Sequence, residues 1–358
     1  MELATFNQFL TAAVKNGASD VHFKVGSAPA LRVNGQLLPV KVPALQPEDT
    51  ARITGHLVKH SRYKGAVDDL QDFDTSYALE GVGRFRANIF RNKGHLGAVM
   101  RSIPLNVPDF AKLGLPKVLE KLSQEERGLI LVTGITGSGK SSTLAAMVNY
   151  INQHYRKHIV TIEDPIEFVH QDNFSRVTQR EIGPDTPSFA AALRAALRQD
   201  PDVILVGEMR DSETIEIALK AAETGHLVLS TVHTQDCYRT IGRIIGVFPP
   251  EGQTGVRNRL AENLRGTVSQ RLLPHASGRG RAVAAEIMVS TLSVVEFIKD
   301  PNRTHEITDF LERNQDLLGT QSFDMHLAAL LKGGQITRET ALEAASNRAD
   351  FERALAFE

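Results

Sequence analysis

One stretch of the chain, GLILVTGITGSGKSST at residues 128–143, most restricts what the chain can fold into. The part from Gly134 to Ser141 matches the pattern G-x-x-x-x-G-K-[ST] in full. An apolar run precedes this pattern and an alanine-containing helical segment follows it, as a phosphate-binding loop at a helix N-terminus requires. The stretch therefore predicts an α/β domain in which this loop joins a buried strand to a helix.

Each residue type in the loop suits the phosphates of a nucleotide such as ATP. Glycines let the backbone N–H groups turn toward the phosphates. Lys140 is expected to reach the β- and γ-phosphates, and Ser141 to ligate Mg²⁺. The predicted nucleotide-binding residues are Gly134, Thr136, Gly137, Ser138, Gly139, Lys140, Ser141 and Ser142. The alternative is a glycine-rich loop that carries a surface lysine.

Carboxylates follow two other apolar runs. HIVTIEDPIE puts Glu163 and Asp164 at the end of one run, and DVILVGEMRD puts Glu208 just past another. Ligands of open parallel sheets gather at the carboxyl ends of the strands, so Glu163 and Glu208 are expected to face the same phosphates. A P-loop enzyme needs one acid near its metal and one group that orients the attacking water. We expect Glu208 to act near the metal and Glu163 to orient the attacking water. The alternative is that both are solvated acids in loops.

Two histidines flank a further apolar run in TGHLVLSTVHT. The separation of His226 and His233 is odd, which puts their side chains on opposite faces of a strand and argues against a shared metal. His233 follows the run, so it is either a loop histidine or a residue that contacts the γ-phosphate. The sequence leaves both interpretations open.

Residues 1–102 have the pattern of a small antiparallel α+β domain. Apolar residues from Leu3 to Val14 share one helical face, and Asn34-Gly35 predicts a hairpin between two alternating segments. A helix over about 47–60 and three strands separated by glycine turns complete the domain. Prolines in IPLNVPDFAKLGLP then predict a linker at 103–114.

Residues 115–358 have a different pattern. Short apolar runs alternate with helical segments, which indicates a parallel sheet that is buried on both faces. Thr186-Pro187 predicts one helix start and Asp211 or Ser212 another. VAAEIMV, just beyond residue 282, predicts a last strand before a helical tail over about 290–358. The apolar runs lie at 129–132, 159–162, 203–206 and 227–232.

Composition sets broad limits on location and partners. The formal net charge of −1 gives no electrostatic indication of nucleic-acid binding, and Cys237 is the single cysteine. The N-terminus lacks the layout of a signal peptide, and no apolar run approaches the ~18–20 residues that span a bilayer. These features predict a soluble cytoplasmic protein with no nucleic-acid partner.

Five ordered motifs resemble the signatures of type II/IV secretion ATPases, and their order and spacing resemble the pilus-retraction ATPases of twitching motility in particular. The motifs are ASDVH, GITGSGKS, TIEDPIEF, LRQDPDVILVGEMRD and TGHLVLSTVHT. The resemblance implies a homo-hexameric ring whose subunits have a PAS-like N-terminal domain, a short linker and a RecA-like ATPase domain. It also implies that ATP hydrolysis moves a pilus platform protein of the inner membrane, where the ring associates peripherally.

The resemblance also assigns residues. The Walker A motif of the family corresponds to Gly134, Gly139, Lys140 and Ser141, its catalytic glutamate to Glu163, its Walker B glutamate to Glu208 and its histidine box to His226 and His233. The family places arginines of the N-terminal domain against the nucleotide of a neighbouring subunit. Arg86 in RFRANIF and Arg101 in VMRSIP are the best matches.

Two positions depart from the family pattern. Ile135 replaces a common proline, and SVVEFIKD at 293–300 replaces an element typical of retraction ATPases. The second departure leaves an accessory retraction paralogue open beside the main motor. An extension or secretion ATPase of the family would usually add an N-terminal domain and a tetracysteine zinc site. A nucleic-acid motor would require a basic channel and stacking aromatic residues, and a small-molecule kinase would leave residues 1–102 without a role.

Overall fold

The computed structural model describes residues 1–33, 35–59, 61, 63, 65–103, 107–314 and 319–357. Asn34 of the predicted hairpin and residues 104–106 of the predicted linker lie outside these ranges. The chain divides into two compact units. The first consists of Met1–Asn106 with Pro165–Val169 and Gly183–Asp185, and the second of Val107–Asp164, His170–Ile182 and Thr186–Glu358.

The first unit contains one antiparallel sheet and two helices. Its strands have the order β3-β2-β1-β6-β5-β4 in the described residues. Phe6 and Leu10 of the first helix and Phe85 and Ile89 of a central strand are completely buried. The elements are α1 (Leu3–Lys15), β1 (Ala18–Phe23), β2 (Ala30–Val33), β3 (Gln36–Pro39), α2 (Pro47–Val58), a 3₁₀ turn (Val67–Asp69), β4 (Asp72–Leu79), β5 (Gly83–Asn92) and β6 (His95–Ile103).

The second unit begins with two short helices and alternates strands with helices through most of its length. This alternation follows the predicted apolar runs. Its elements are α3 (Phe110–Leu113), α4 (Val118–Leu122), β7 (Gly128–Thr133), α5 (Lys140–His154), β8 (His158–Glu163), β9 (Arg176–Glu181), α6 (Phe189–Ala196), β10 (Val203–Val206), α7 (Ser212–Glu223), β11 (Leu227–Val232), α8 (Cys237–Ile245), α9 (Pro250–Asn263), β12 (Leu264–Pro274), β13 (Arg281–Val289), α10 (Leu292–Lys299), α11 (Glu306–Arg313), α12 (Phe323–Lys332), α13 (Arg338–Ala344) and α14 (Arg348–Phe357).

The second sheet has the strand order β13-β12-β7-β11-β10-β8-β9 in the described part of the chain. Its neighbouring strands run parallel, except that β13 is antiparallel to β12. Successive residues of β7 belong to different hydrophobic clusters: Leu129 and Leu131 pack in one, Ile130 and Val132 in the other. The sheet is therefore buried on both faces, which confirms the predicted α/β class.

Several local expectations differ from the structure. The helix predicted to start at Thr186 begins at Phe189, because the Ser188 side chain accepts the hydrogen bond from Ala191 N–H and acts as the N-cap. Asp211 caps α7 in the same way, as predicted. The polar edge strand β9 and the long strand β12 were not predicted. Within the predicted linker, residues 110–113 form the helix α3.

No helix within the described ranges has the length and apolar character needed to cross a membrane.

Candidate functional site

The loop between β7 and α5 depends on glycine at two positions. Gly134 has a φ of 143°, and a Cβ there would lie 2.6 Å from the carbonyl oxygen of Gln270. Gly139 has a φ of 93° and directly precedes α5. Side chains with a Cβ rarely adopt such positive angles, so both positions favour glycine. The two glycines let the chain turn sharply from the strand into the helix.

Lys140 lies buried within this loop, with a side chain that reaches back across it. Its Nζ donates to the carbonyl oxygens of Gly134 at 2.9 Å and Ile135 at 3.0 Å. The hydroxyl of Ser138 is also buried and has no hydrogen-bond partner among the described residues. A buried hydroxyl without a partner costs free energy, and a phosphate oxygen would be a suitable acceptor. The residues of the loop therefore fit the phosphates of a nucleotide.

The other predicted nucleotide-binding residues lie along the same turn. Thr136 and Gly137 are exposed at its tip, and Ser141 and Ser142 are half-buried in the first turn of α5. The first N–H groups of a helix have no partner within the helix, and the helix dipole favours negative charge there. The loop and the start of α5 thus form one anion-binding surface.

Glu208 lies just past β10, where its carboxylate contacts the side chains of Arg210 and His233. Its Oε1 lies 2.7 Å from Nε of Arg210, and its Oε2 lies 3.6 Å from Nε2 of His233. Strand β11, which leads into His233, lies between the P-loop strand β7 and the strand β10 that leads into Glu208. This strand order brings the carboxylate and the imidazole together.

His233 lies close enough to Lys140 for the lysine charge to affect its pKa. Burial lowers the pKa of His233, and the charges of Lys140 and Arg210 lower it further. Glu208 opposes this shift but does not reverse it. His233 is therefore neutral at neutral pH and can both donate and accept a hydrogen bond. The structure thus groups Lys140, Glu208 and His233.

Glu163 ends β8 beside the turn that leads to Glu208. The N–H of Gly207 donates to the carbonyl oxygen of Ile162 at 2.8 Å, which ties the two strand ends together. One oxygen of Glu163, Oε1, accepts from the hydroxyl of Thr161 at 2.6 Å and from Nε2 of Gln179 at 3.0 Å. The half-buried carboxylate therefore has a fixed orientation at the carboxyl edge of the sheet.

Arg86 and Arg101 belong to the first unit. They are paired residues on the neighbouring strands β5 and β6, and both are exposed. Nε of Arg101 lies 2.9 Å from Oδ1 of Asp20 on β1. The structure therefore places the two predicted arginines next to each other on one sheet.

His226, the other histidine of the predicted histidine box, lies away from the group of Lys140, Glu208 and His233. His226 precedes β11, at the end opposite His233, and its Nδ1 lies 2.9 Å from the carbonyl oxygen of Ala221. This contact holds the end of α7 against the start of β11. Among the described residues, no group of three or more His, Cys, Asp and Glu side chains is arranged to hold a metal ion.

Sequence reasoning missed three side chains that contact the predicted site residues: Thr161, Gln179 and Asp20. Thr161 lies two residues before Glu163 on the same strand, so strand alternation could have placed both on one face. Asp20 is part of the ASDVH motif, yet its contact with Arg101 joins strands that are far apart in the chain. Gln179 lies on a strand that the sequence pattern does not reveal.

Comparison with known proteins agrees with this geometry. Residues 2–314 match the family model described as "Type II/IV secretion system protein". The type IV pilus retraction ATPase PilT of Pseudomonas aeruginosa is 42% identical over 344 residues, which cover 96% of this chain and 99% of PilT. The type IV pilus ATPase PilU of the same organism is 38% identical over 348 residues, covering 97% of this chain and 90% of PilU.

A solved structure shows the same architecture. The crystal structure of the pilus retraction motor PilT with bound ADP superposes with a TM-score of 0.86 at 45% sequence identity, covering 97% of this chain and 98% of PilT. The P-loop, the two acidic strand ends and the family match over most of the length lead to one identification. The chain belongs to the type II/IV secretion system protein family and is one of its ATPases.

Proposed function

We propose that this ATPase is a motor that retracts type IV pili and so drives twitching motility. The observation that carries the proposal is the similarity to PilT, which extends over nearly the full length of both chains. The grouping of Lys140, Glu208 and His233 beside the glycine-rich loop supports an ATP-hydrolysing site at this edge of the sheet.

The site residues have distinct roles in this proposal. Lys140 faces the negative charge that develops on the β- and γ-phosphates. Ser141 and Glu208 would hold Mg²⁺, which would neutralise phosphate charge when bound. Glu163 orients the attacking water and accepts its proton, and neutral His233 contacts the γ-phosphate. The fixed orientation of the Glu163 carboxylate supports its role, because a general base must be aligned with the proton that it removes.

The force arises between subunits of a ring in this proposal. Residues 1–102 form the N-terminal domain, 103–114 the linker and 115–358 the ATPase domain. In a homo-hexamer, Arg86 and Arg101 of one subunit act on the ATP of the next, so that hydrolysis changes an intersubunit contact and moves domains as rigid bodies. The ring is cytoplasmic and acts at the inner membrane on the pilus platform protein.

An accessory retraction ATPase of the PilU kind is the second candidate. Residues 293–300 lie mostly in the helix α10, and their sequence departs from the element typical of retraction motors. The overall similarity to PilU is also nearly as high as the similarity to PilT. The two candidates share the direction of force and differ in whether the protein suffices for retraction.

Deletion of the gene tests the proposal. We expect cells that lack a main retraction motor to be hyperpiliated and unable to twitch, and a Lys140→Ala copy should fail to restore twitching. Cells without pili would indicate an extension motor. Hyperpiliated cells that still twitch would indicate an accessory motor. Stimulation of the purified ATPase by DNA or RNA would instead favour a nucleic-acid motor.

A further inference from the structure

Gln179 touches the carboxylate of Glu163 from the neighbouring strand β9. Strands β8 and β9 run parallel, and Gln179 is the register partner of Thr161. Because register partners point to the same face, Thr161, Glu163 and Gln179 form one group on that face. Thr161 and Gln179 both donate to Oε1 of Glu163, at 2.6 and 3.0 Å.

A backbone contact decides which end of the Gln179 amide faces Glu163. The N–H of His170 donates to Oε1 of Gln179 at 2.8 Å. A backbone N–H is a donor and cannot accept, so the carbonyl oxygen of the side chain must face His170. The NH₂ group then faces Glu163 as a donor.

A donor at this place orients a general base. The hydrogen bond from Gln179 fixes the plane of the Glu163 carboxylate, whereas the side chain of a glutamate without such a donor would rotate more freely. A fixed carboxylate can accept a proton from a water in one defined direction.

We propose that Gln179 is a positioning residue for ATP hydrolysis, which acts by holding the carboxylate of Glu163 toward the attacking water. This inference rests on the proposed role of Glu163 as the general base. The competing interpretation is structural: Gln179 only anchors the segment at His170 to β9, and its contact with Glu163 has no consequence for the reaction.

Two substitutions separate these interpretations. Gln179→Glu keeps the length of the side chain and an acceptor for His170 N–H, but removes the donor to Glu163. Gln179→Met removes both contacts at similar size. We expect each variant to lower kcat about 10-fold, the scale of one hydrogen bond to a charged group. We expect the dissociation constant for a non-hydrolysable ATP analogue to change less than about 2-fold, because Gln179 in this role acts on Glu163 and not on the bound phosphates.

Thr178→Val is the matched control on the same strand. The Thr178 hydroxyl lies 3.0 Å from Nε2 of His158, on the face of β9 opposite Gln179. The variant removes one side-chain hydrogen bond from β9 without touching Glu163, and it should keep the kcat of the unmodified protein. Thermal unfolding and the mass of the assembled ring, measured for all three variants, report whether the fold is kept.

A double-variant cycle tests whether Gln179 acts through Glu163. In single-turnover experiments, Gln179→Met should slow hydrolysis about 10-fold in the unmodified protein but less than about 2-fold in the Glu163→Gln background. Two results would overturn the inference: full kcat in Gln179→Glu, or a loss in Gln179→Met that multiplies with the loss in Glu163→Gln. Near-normal turnover in Glu163→Gln alone would instead remove the role of Glu163 itself, so the two failures are distinguishable.

Discussion

Asp20 and Arg101 face each other as register partners on the neighbouring strands β1 and β6, with Oδ1 2.9 Å from Nε. The Asp20 side chain is only 6% exposed, whereas that of Arg101 is 72% exposed. The buried carboxylate of Asp20 thus binds Nε of Arg101, while the rest of the guanidinium group is exposed to solvent. Arg86 lies next to Arg101 on β5, so Asp20 also offsets the repulsion between two adjacent positive charges.

The first prediction concerns the stability of this ion pair. Burial disfavours the ionised form of Asp20, but hydrogen bonds from Arg101 and Ser19 outweigh it, with help from the charges of Arg101 and Arg32. The pKa of Asp20 in the folded protein therefore lies below its ordinary value. A carboxylate with a lowered pKa stabilises the fold at neutral pH, and this contribution is lost as the pH falls through the folded pKa.

We expect Asp20→Asn to lower the free energy of unfolding by about 1–3 kcal/mol at pH 7, the scale for a hydrogen bond to a charged group. The difference from the unmodified protein should shrink as the pH is lowered toward and below the folded pKa of Asp20. Denaturant unfolding at several pH values measures it. A difference that stays constant down to strongly acidic pH would contradict the ionised pair.

The second prediction concerns Lys140. Lys140→Ala removes the ammonium group that lies within the phosphate loop, and with it the charge that would oppose the negative charge developing in the transition state. We expect Mg²⁺-dependent ATPase activity in the unmodified protein and essentially none in this variant. Phosphate release by the purified, assembled proteins measures it. Near-normal activity in Lys140→Ala would show that the loop is not the catalytic nucleotide site.

The third prediction separates the two acids. Glu163→Gln keeps the shape of the side chain but loses its basicity, so the variant should bind ATP and hydrolyse it at least ~100-fold more slowly. Glu208→Gln should instead raise the Mg²⁺ concentration needed for half-maximal activity. Activity measured over a range of Mg²⁺ concentrations distinguishes them. A shifted Mg²⁺ requirement in Glu163→Gln, with a general loss of rate in Glu208→Gln, would mean that the roles are exchanged.

Local sequence patterns place these residues at the ends of strands, as the structure has them, while their roles in the reaction stay predictions. The loop from Gly134 to Ser141 and the acids that follow β8 and β10 are each visible within a few residues. His233 also follows a strand, and the order β7-β11-β10, which the alternation of apolar runs and helices does not give, is what brings it to Glu208. These positions follow from sequence because each one is a strand end, and strand ends share an edge of the sheet.

The contacts made by Gln179 and Asp20 could not be predicted, because each joins strands whose pairing the sequence pattern does not show. Gln179 lies on β9, an edge strand with the largely polar sequence RVTQRE, which does not show the apolar run of a buried strand. Asp20 meets Arg101 only because β1 and β6 pair across the first sheet, although about 80 residues separate them in the chain. Likewise, Ser188 rather than Thr186 caps α6, since a side-chain hydrogen bond outweighs a proline signal for the helix start.

The fourth prediction concerns an arginine that one subunit supplies to the nucleotide site of the next. In the proposed mechanism, the second unit supplies a phosphate loop, an acid for the metal and an acid for the water. Arg210 of this unit has its Nε 2.7 Å from Oε1 of Glu208 and so neutralises that carboxylate. An arginine supplied in trans can raise the rate ~10³–10⁵-fold, so a subunit without one should turn over slowly. Arg86 and Arg101 are the exposed arginines that the family pattern assigns to this task.

Arg86→Ala and Arg101→Ala should each assemble and bind ATP, yet lose most turnover. Either variant mixed with Lys140→Ala should regain part of the activity, because each kind of subunit supplies the part that the other lacks. Phosphate release is measured across a range of mixing ratios, with mixed rings verified by mass. Asp20→Asn should lower turnover as Arg101→Ala does, but by less, because it keeps the guanidinium group and removes only the carboxylate that binds it. Verified mixed rings that stay inactive at every ratio would exclude an arginine acting between subunits, and hydrolysis would then have to be completed within one chain.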